Sequence, residues 1–198
     1  MAELNRFARF FANAAAERRS RQRLAWLRPR LHVPASPACL EIGAGVGATA
    51  ARLVEELRPS LYIATDLDPR QLDAARRHLV RRYPSGLPSA LDLRPADMLH
   101  LPFDDRSFDV VFAFVSVHHA SRSHRDFSNV PTALAEIDRV LRPGGRFVYE
   151  EFVHLEGIRA WLAGHGYAVE ATERRWKRLR AIARRPERPA EATGATSV

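Results

Sequence analysis

The chain has 198 residues, of which 46% are hydrophobic and 27% charged, which is enough to bury the core of one domain. Its formal net charge of +8 comes mainly from arginines in the two terminal segments, so the composition does not indicate a central nucleic-acid-binding patch. The single cysteine excludes an internal disulfide, and no apolar run is long enough to span a bilayer, so we predict a soluble, cytoplasmic protein.

Residues 1–31 combine apolar and basic side chains at helical spacing. Leu4, Phe7 and Phe11 share one face of a predicted amphipathic helix, and arginines are interleaved with them. Such a helix can pack against the domain or form a lid over a ligand site. It can also make a peripheral contact with an anionic membrane, and its composition faintly resembles an organellar transit peptide. We favour the packing or lid helix, because surface helices of globular domains routinely show this pattern.

An apolar strand followed by a glycine loop is the feature around which the chain is organised. Residues 39–42 are predicted as a buried strand, and glycines follow at positions 43, 45 and 47. Because glycine has no Cβ atom, it lets the backbone turn sharply and approach a ligand closely. Residues 50–57 have helical spacing, so the loop is expected to open onto a helix. A strand, a glycine loop and a helix in this order predict a nucleotide-binding turn.

Strands and helices alternate along the rest of the chain. Strands joined by helical crossovers pair in parallel, so this order predicts an α/β fold, a doubly wound, Rossmann-like and mostly parallel seven-stranded sheet with helices on both faces. Pro95 cannot donate to a strand ladder, so the third strand is not expected to be central. The strands are predicted over residues 61–66, 91–97, 108–115 and 146–151, and the helices over 70–80, 132–141 and 154–164.

The C-terminal part is predicted to add a hairpin at the edge of the sheet. Residues 167–171 alternate like a strand, whereas residues 174–185 are compatible with a basic helix or a second strand. We favour two antiparallel strands that turn near Trp176. Residues 186–198 show no periodicity and are predicted to be a disordered tail, which leaves residues 32–185 as the domain that follows the N-terminal helix.

The glycine loop alone allows more than one kind of ligand. Gly43, Gly45 and Ala48 fit the dinucleotide fingerprint, and Asp66 lies at a spacing suited to a ribose, as in an NAD-dependent oxidoreductase. That motif is weak evidence by itself. Three features separate the interpretations: Glu41 in the strand before the loop, Asp97 after the third strand, and the turn Pro143-Gly144-Gly145 before the fifth.

These features occur together in a known protein family. The motifs in chain order are residues 40–47, 64–66, 96–103, 107–111 and 139–145. In this set and order the sequence resembles the class I S-adenosylmethionine-dependent methyltransferases, specifically the compact, type 11-like small-molecule branch. The resemblance covers residues 38–185. It implies transfer of a methyl group from S-adenosylmethionine to a small organic acceptor.

The resemblance also implies a set of cofactor-binding residues at the strand ends. Asp66 would accept both ribose hydroxyls, a task that suits a carboxylate because it offers only acceptors. Asp97 would accept the adenine amino group, with Leu67 and Met98 flanking the ring. Glu41 would reach the cofactor amine or a water beside it. The full set is Glu41, Gly43, Ala44, Gly45, Gly47, Asp66, Leu67, Asp97, Met98 and Phe114.

Candidates for catalysis follow the fourth strand. His118 and His119 are the catalytic candidates, because histidine accepts protons near neutral pH, but a place in the turn without catalytic work is the favoured interpretation of both. The histidine spacings match no common zinc pattern, so no metal is expected. The predicted substrate-binding residues are His119, Arg122, His124 and Tyr149.

The acceptor class is inferred from the segment after the fourth strand and from the N-terminal helix. Enzymes of this fold that methylate nucleic-acid bases carry an Asn/Asp-Pro-Pro-aromatic segment after the fourth strand. Residues 114–117 occupy that position here and do not match the segment, so a nucleic-acid substrate is not expected. Two alternatives remain open, an NAD-dependent oxidoreductase and a non-catalytic protein that binds S-adenosylmethionine. A small aromatic or lipid-like acceptor is favoured by the aromatic residues Phe7, Phe10, Phe11 and Trp26.

Overall fold

A computed structural model of the protein describes residues 2–121, 123 and 126–187, with side chains from residue 14 onward. Several predictions from the sequence therefore cannot be placed. Those outside the described residues are the substrate candidates Arg122 and His124, the side chains of Phe7, Phe10 and Phe11, and residues 188–198 of the predicted tail.

Seven strands form one sheet in the described part of the chain. They are β1 (Ala38–Ile42), β2 (Leu61–Asp66), β3 (Leu91–Pro95), β4 (Phe108–Phe114), β5 (Leu141–Glu151), β6 (Ala168–Arg175) and β7 (Arg178–Arg184). Their order across the sheet is β3-β2-β1-β4-β5-β7-β6. The first five strands pair in parallel, and β7 pairs antiparallel with both β5 and β6. The predicted fold class, including the C-terminal edge hairpin, is confirmed.

Helices cover both faces of the sheet. They are α1 (Ala2–Leu27), α2 (Ala48–Leu57), α3 (Pro69–Arg82), α4 (Val130–Val140) and α5 (Leu155–Gly164), with a 3₁₀ turn at Val117–Ala120. One buried cluster joins α1, α2 and α3 to the sheet, and the other joins α4 and α5 to its opposite face. All five residues of β1 are buried, as expected for a parallel strand covered on both sides. Neighbouring residues of a central strand therefore belong to different clusters.

The strand boundaries differ from the predictions where prolines and glycines intervene. β3 ends at Pro95, two residues earlier than predicted, and it lies at the sheet edge as expected. β5 begins at Leu141, because Leu141 pairs with Phe108 before the ladder shifts register and resumes at Arg146. The hairpin between β6 and β7 turns at Trp176, where φ is 52°, in agreement with the prediction.

The helix α1 lies against α2 through both apolar and charged contacts. Its last residues, Trp26 and Leu27, are buried in the cluster on that face of the sheet. Arg52 of α2 donates to Glu17 at 2.5 Å and to Ser20 at 2.9 Å. These contacts hold the C-terminal half of α1 beside the glycine loop. The division of the chain at residue 31 and a lid function for α1 stay predictions.

Candidate active site at the carboxyl edge of the sheet

The glycines of the loop serve different purposes. Gly43 has φ +69°, and a Cβ atom there would lie 2.5 Å from the Cβ of Ser116, so glycine is required for the loop to lie against the end of β4. A Cβ at Gly47 would lie 3.1 Å from that of Ala75, where α2 packs on α3. A Cβ at Gly45 would meet only the side chain of Gln71, at 4.0 Å. Gly45 therefore faces open space.

Two cavities lie on the two sides of this loop. The first, of about 680 Å³, contains the predicted acidic residues and is called the acidic cavity; the second, of about 420 Å³, is called the arginine cavity. They share Gly43, Gly45, Gln71 and Val115. The acidic cavity is further lined by Ile42, Asp66, Leu67, Asp68, Arg70, Ala96, Asp97, Met98, Leu99, Ser116, His119 and Ala120. The arginine cavity is further lined by Ala16, Arg19, Arg23, Ala44, Val46, Ala48, Thr49, Phe114 and Arg178.

Asp66 lies at the end of β2 and lines the acidic cavity. One of its carboxylate oxygens accepts the N–H of Gly45 at 3.0 Å, and the other accepts the N–H of Asp68 at 3.0 Å. Each oxygen has a second lone pair, so the carboxylate can still accept hydrogen bonds from two hydroxyls of a ligand. The same contacts fix the carboxylate relative to the loop.

Asp97 lies two residues after the end of β3, the strand that pairs with β2, and lines the same cavity. Its Oδ1 accepts the N–H of Leu99 at 2.9 Å, which closes a short turn and leaves its other oxygen for a ligand. Leu67 and Met98 also line the cavity, and Leu67 is 67% exposed. This arrangement suits a flat ring with an amino donor, held between apolar side chains and joined to a diol.

Ser116 adds an unpaired polar group to the wall of the acidic cavity. Its hydroxyl is buried and has no hydrogen-bond partner among the described groups. A buried polar atom of this kind costs free energy unless a ligand or water satisfies it. Together with the open space at Gly45, this hydroxyl supports a polar ligand in the cavity.

Glu41 lies beneath the loop and outside the described lining of both cavities. Its side chain is buried, and the hydroxyl of Tyr62 donates to its Oε2 at 2.9 Å. Burial raises the pKa of Glu41 to about 7, against the opposing effects of this hydrogen bond and of the charge of Arg23. A contact between Glu41 and a cofactor amine stays a prediction. The carboxylate already accepts a hydrogen bond from Tyr62.

The two adjacent histidines occupy different environments. His118 is buried, and its Nδ1 lies 2.8 Å from Oε2 of Glu151. The other oxygen of Glu151 accepts the N–H groups of Ser116 and Val117 at 2.9 and 2.8 Å, so this carboxylate holds the turn together. His119 is exposed and lines the acidic cavity. The structure therefore places His118 in the framework of the turn and His119 at the cavity wall.

Tyr149 and Phe114 are not placed at the acidic cavity. Tyr149 is 1% exposed and its ring stacks on Phe147 in the core, because alternation along β5 turns it towards α4 and α5. The expectation that it contacts substrate at the cavity rim does not fit this position. Phe114 lines the arginine cavity, where the guanidinium of Arg23 lies 4.6 Å from its ring centroid.

The sequence analysis missed a group of arginines around Glu150. This carboxylate, at the end of β5, is fully buried and contacts Arg23, Arg178 and Arg180. The one available signal is the spacing of Arg178 and Arg180, which puts both on one face of a strand. Nothing in the sequence joins that strand to Arg23 of α1.

The described residues contain neither a candidate metal site nor a membrane-spanning helix. They hold no group of three or more His, Cys, Asp or Glu side chains able to bind a metal ion. Within the same part of the chain, no helix has both the length and the apolar character that crossing a membrane requires.

Comparison with known proteins identifies the family. A model described as a methyltransferase domain matches residues 40–149. A probable phthiotriol/phenolphthiotriol dimycocerosates methyltransferase 2 of Mycobacterium ulcerans is 36% identical over 126 residues, which are 63% of this chain and 43% of that protein. The ubiquinone/menaquinone biosynthesis C-methyltransferase UbiE of Dinoroseobacter shibae is 34% identical over 130 residues, which are 66% of this chain and 46% of that protein. The chain thus spans less than half the length of these two relatives.

A solved structure supports the fold. The SAM-dependent methyltransferase of Aquifex aeolicus superposes with a TM-score of 0.62 at 15% identity, covering 77% of this chain and 84% of that one. At this identity the similarity shows the fold alone. The family model covers more than half of the chain and includes the glycine loop, Asp66 and Asp97. The chain belongs to the methyltransferase-domain family.

Proposed function

We propose that the protein transfers a methyl group from S-adenosylmethionine to a small organic acceptor. The observation that carries this proposal is the acidic cavity, which Asp66, Leu67 and Asp97 line beside the glycine loop. Family membership favours a methyl donor over a dinucleotide as its ligand. The cavity also offers acceptors for each hydrogen-bonding donor group of an adenosine.

The cavity fits each part of the donor. Asp66 has free lone pairs for two ribose hydroxyls, and Asp97 has one oxygen free for the adenine amino group. Leu67 and Met98 provide apolar surface for the ring. Gly45 leaves room for the amino-acid end of the donor, which would extend along the loop towards the arginine cavity.

The chemistry requires mainly alignment. When bound, S-adenosylmethionine supplies a methyl carbon activated by a sulfonium charge. The protein must place the acceptor in line with that carbon and exclude water. Val115, where the two cavities meet, and Ser116 of the acidic cavity would position the reacting atoms. His119 at the cavity wall would take the acceptor proton, whereas His118 is engaged with Glu151.

The acceptor is proposed to be a small, partly apolar organic molecule. The names of the two relatives refer to phthiotriol and phenolphthiotriol dimycocerosates and to ubiquinone/menaquinone biosynthesis. These names support an apolar or aromatic acceptor for this chain as well. A cytoplasmic location and a catalytic domain over residues 32–185 belong to the same proposal.

Calorimetric titration of S-adenosylhomocysteine and of NADH tests the donor site. We expect S-adenosylhomocysteine to bind and NADH not to bind. Asp66→Asn should weaken S-adenosylhomocysteine roughly 10- to 100-fold, because a hydrogen bond to a charged group contributes about 1.5–3 kcal/mol. Asp92→Asn, in the exposed edge strand β3, is the matched control and should change affinity less than twofold. The proposal would be overturned if NADH bound and S-adenosylhomocysteine did not.

Turnover tests whether the site is catalytic. Methyl transfer is measured over a panel of hydroquinones, catechols and apolar carboxylic and phosphoric acids, with His165→Gln at the exposed end of α5 as control. His119→Gln should lower kcat about 100-fold while leaving the affinity for S-adenosylhomocysteine within twofold, as expected for loss of a general base. Equal rates for wild type and His119→Gln would remove His119 from the mechanism. Donor binding without turnover of any acceptor would instead support a non-catalytic binding protein.

A further inference from the structure

The arginine cavity is built around one buried carboxylate. Glu150 is fully buried, and its Oε2 lies 3.3 Å from Nε of Arg23 and 2.7 Å from Nε of Arg180. Its Oε1 accepts a hydrogen bond from Arg178. Burial alone would raise the pKa of Glu150, but the charges of Arg23 and Arg180 and the hydrogen bond from Arg178 lower it. Glu150 is therefore a stable anion that positions three guanidinium groups.

The positive charges around Glu150 exceed the negative ones. Glu173 lies 3.3 Å from Arg180 and also pairs with Arg175, so it offsets neither Arg23 nor Arg178. The charge of Glu41 acts on Arg23, but burial raises the pKa of Glu41 to about 7, so it is only a partial counter-charge. Burial lowers the pKa of Arg23 even though Glu150 is in contact with it. A purely structural ion-pair network would match its buried cations with carboxylates, because uncompensated buried charge is costly. This network instead leaves cationic charge directed at the cavity.

The surplus charge lines the cavity wall. Arg23, Arg178 and Arg19 all line it, and no carboxylate does so among its described lining residues. Arg19 precedes Arg23 by one helical turn, so the two share a face of α1. No carboxylate in the described part of the chain pairs with Arg19. An anion in the cavity would meet donors from α1 on one side and from β7 on the other.

The methyl donor accounts for only part of this charge. Arg23 lies at the inner end, where it donates to the hydroxyl of Thr49 in the first turn of α2 at 3.1 Å, and its side chain is 11% exposed. The donor carries a single carboxylate at its amino-acid end, and Arg23 is close enough to the loop to serve it. Arg19 and Arg178 are more exposed and remain for a second anion.

Apart from Thr49 and Gln71, the side chains that line the rest of the cavity wall are apolar. Phe114, Val115 and Val46 line it between the loop and the arginines. We propose that Arg19 and Arg178 bind the anionic group of an amphiphilic acceptor, a carboxylate or a phosphate, whose apolar body lies on Phe114 and Val115. The acceptor would thus be an organic acid. This inference rests on the proposed function only in placing the methyl donor in the adjoining acidic cavity.

The test uses three eight-carbon probes that differ in the head group: octanoate, octyl phosphate and octanamide. Each is titrated calorimetrically into the protein saturated with S-adenosylhomocysteine, at constant ionic strength. We expect octanoate or octyl phosphate to bind at one site at least tenfold more tightly than octanamide, and the preferred anion identifies the head group. Arg19→Met and Arg178→Met should each weaken the anion at least fivefold, and Arg178→Lys should weaken it less.

The control is Arg184→Met, an arginine of the same strand β7 that pairs with Glu170 and Glu187. It should leave all affinities within twofold. Equal binding of the anions and octanamide, or anion binding that survives both methionine substitutions, would overturn the inference. Displacement of S-adenosylhomocysteine by octanoate would also overturn it, because the arginines would then serve the donor carboxylate. If S-adenosylhomocysteine does not bind at all, the proposed function fails, while the same titrations on the unliganded protein still test the arginine cavity.

Discussion

The acidic cavity and the arginine cavity share the glycine loop but present opposite chemistry. In the first, Asp66 and Asp97 offer acceptors, and the backbone N–H groups of Gly45, Asp68 and Leu99 hold them in place. In the second, Arg19, Arg23 and Arg178 offer donors. A glycine-rich loop separates the two, so one edge of the sheet offers hydrogen-bond acceptors and donors side by side.

The two cavities also differ in how they are supported. The acidic cavity is built from local contacts at consecutive strand ends, which every parallel sheet brings together. The arginine cavity depends on Glu150 to join α1 to β7. Substitutions at the support of the arginine cavity should therefore affect the stability of the whole domain, whereas those at Asp66 should mainly affect ligand binding.

The largest effect is expected for Glu150→Gln. Removal of this charge leaves Arg23 and Arg180 buried without a full counter-charge, and breaking a buried pair in this way costs about 3–5 kcal/mol in the free energy of unfolding. Glu173→Gln, at a partly exposed pair, should cost less than about 1 kcal/mol. Urea denaturation measures both. A loss below 1 kcal/mol for Glu150→Gln would show that the arginine cavity does not need its central carboxylate.

A smaller effect, dependent on pH, is expected for Glu41, which lies beneath the glycine loop. Burial raises its pKa to about 7 in the folded protein, from the ordinary value near 4.5, so folding favours the protonated form. The stabilisation is complete below pH 4.5 and is lost as the pH rises to about 7. Relative to Glu41→Gln, the wild type should lose up to roughly 3 kcal/mol over this range, because each pKa unit corresponds to about 1.4 kcal/mol.

Urea denaturation of both proteins between pH 4.5 and 8 provides the measurement. The difference between wild type and Glu41→Gln cancels the contributions of the other titrating groups. A difference that does not vary with pH would mean that Glu41 stays ionised, paired with Arg23 as part of the arginine network. The charge of Glu41 would then couple the glycine loop to the arginines, and the two cavities would not be electrostatically independent.

The sequence predicts the acidic cavity well because its determinants are local. Gly43 directly follows β1 and Asp66 is the last residue of β2, and parallel strand ends meet at one edge of the sheet. The order of strands and helices likewise predicts the doubly wound sheet. The boundary of β5 is less predictable, because Leu141 joins the ladder through a shift of register that no local pattern encodes.

The arginine cavity could not be predicted for a physical reason. Its groups come from α1, β5 and β7, and only tertiary packing brings Arg23 to Glu150. The direction of side chains on β5 presents a similar difficulty. Tyr149 and Glu150 are both polar residues near the end of one strand, and a one-residue shift exchanges the face that each occupies. The pattern therefore indicates polar residues at the edge without showing which of them reaches a cavity.

The smallest effect is expected for Tyr149→Phe, which tests the boundary of both cavities. The ring stacks on Phe147, and the hydroxyl has no hydrogen-bond partner in the described part of the chain. Its removal should change the free energy of unfolding by less than about 0.5 kcal/mol and leave the affinities for S-adenosylhomocysteine and octanoate unaltered. The matched control Tyr167→Phe loses a 2.7 Å hydrogen bond to the carboxylate of Asp138 and should cost about 1.5–3 kcal/mol. A change in either ligand affinity on Tyr149→Phe would show that this tyrosine contributes to the acceptor site. The acceptor would then reach the α4–α5 face of the sheet, beyond the two cavities.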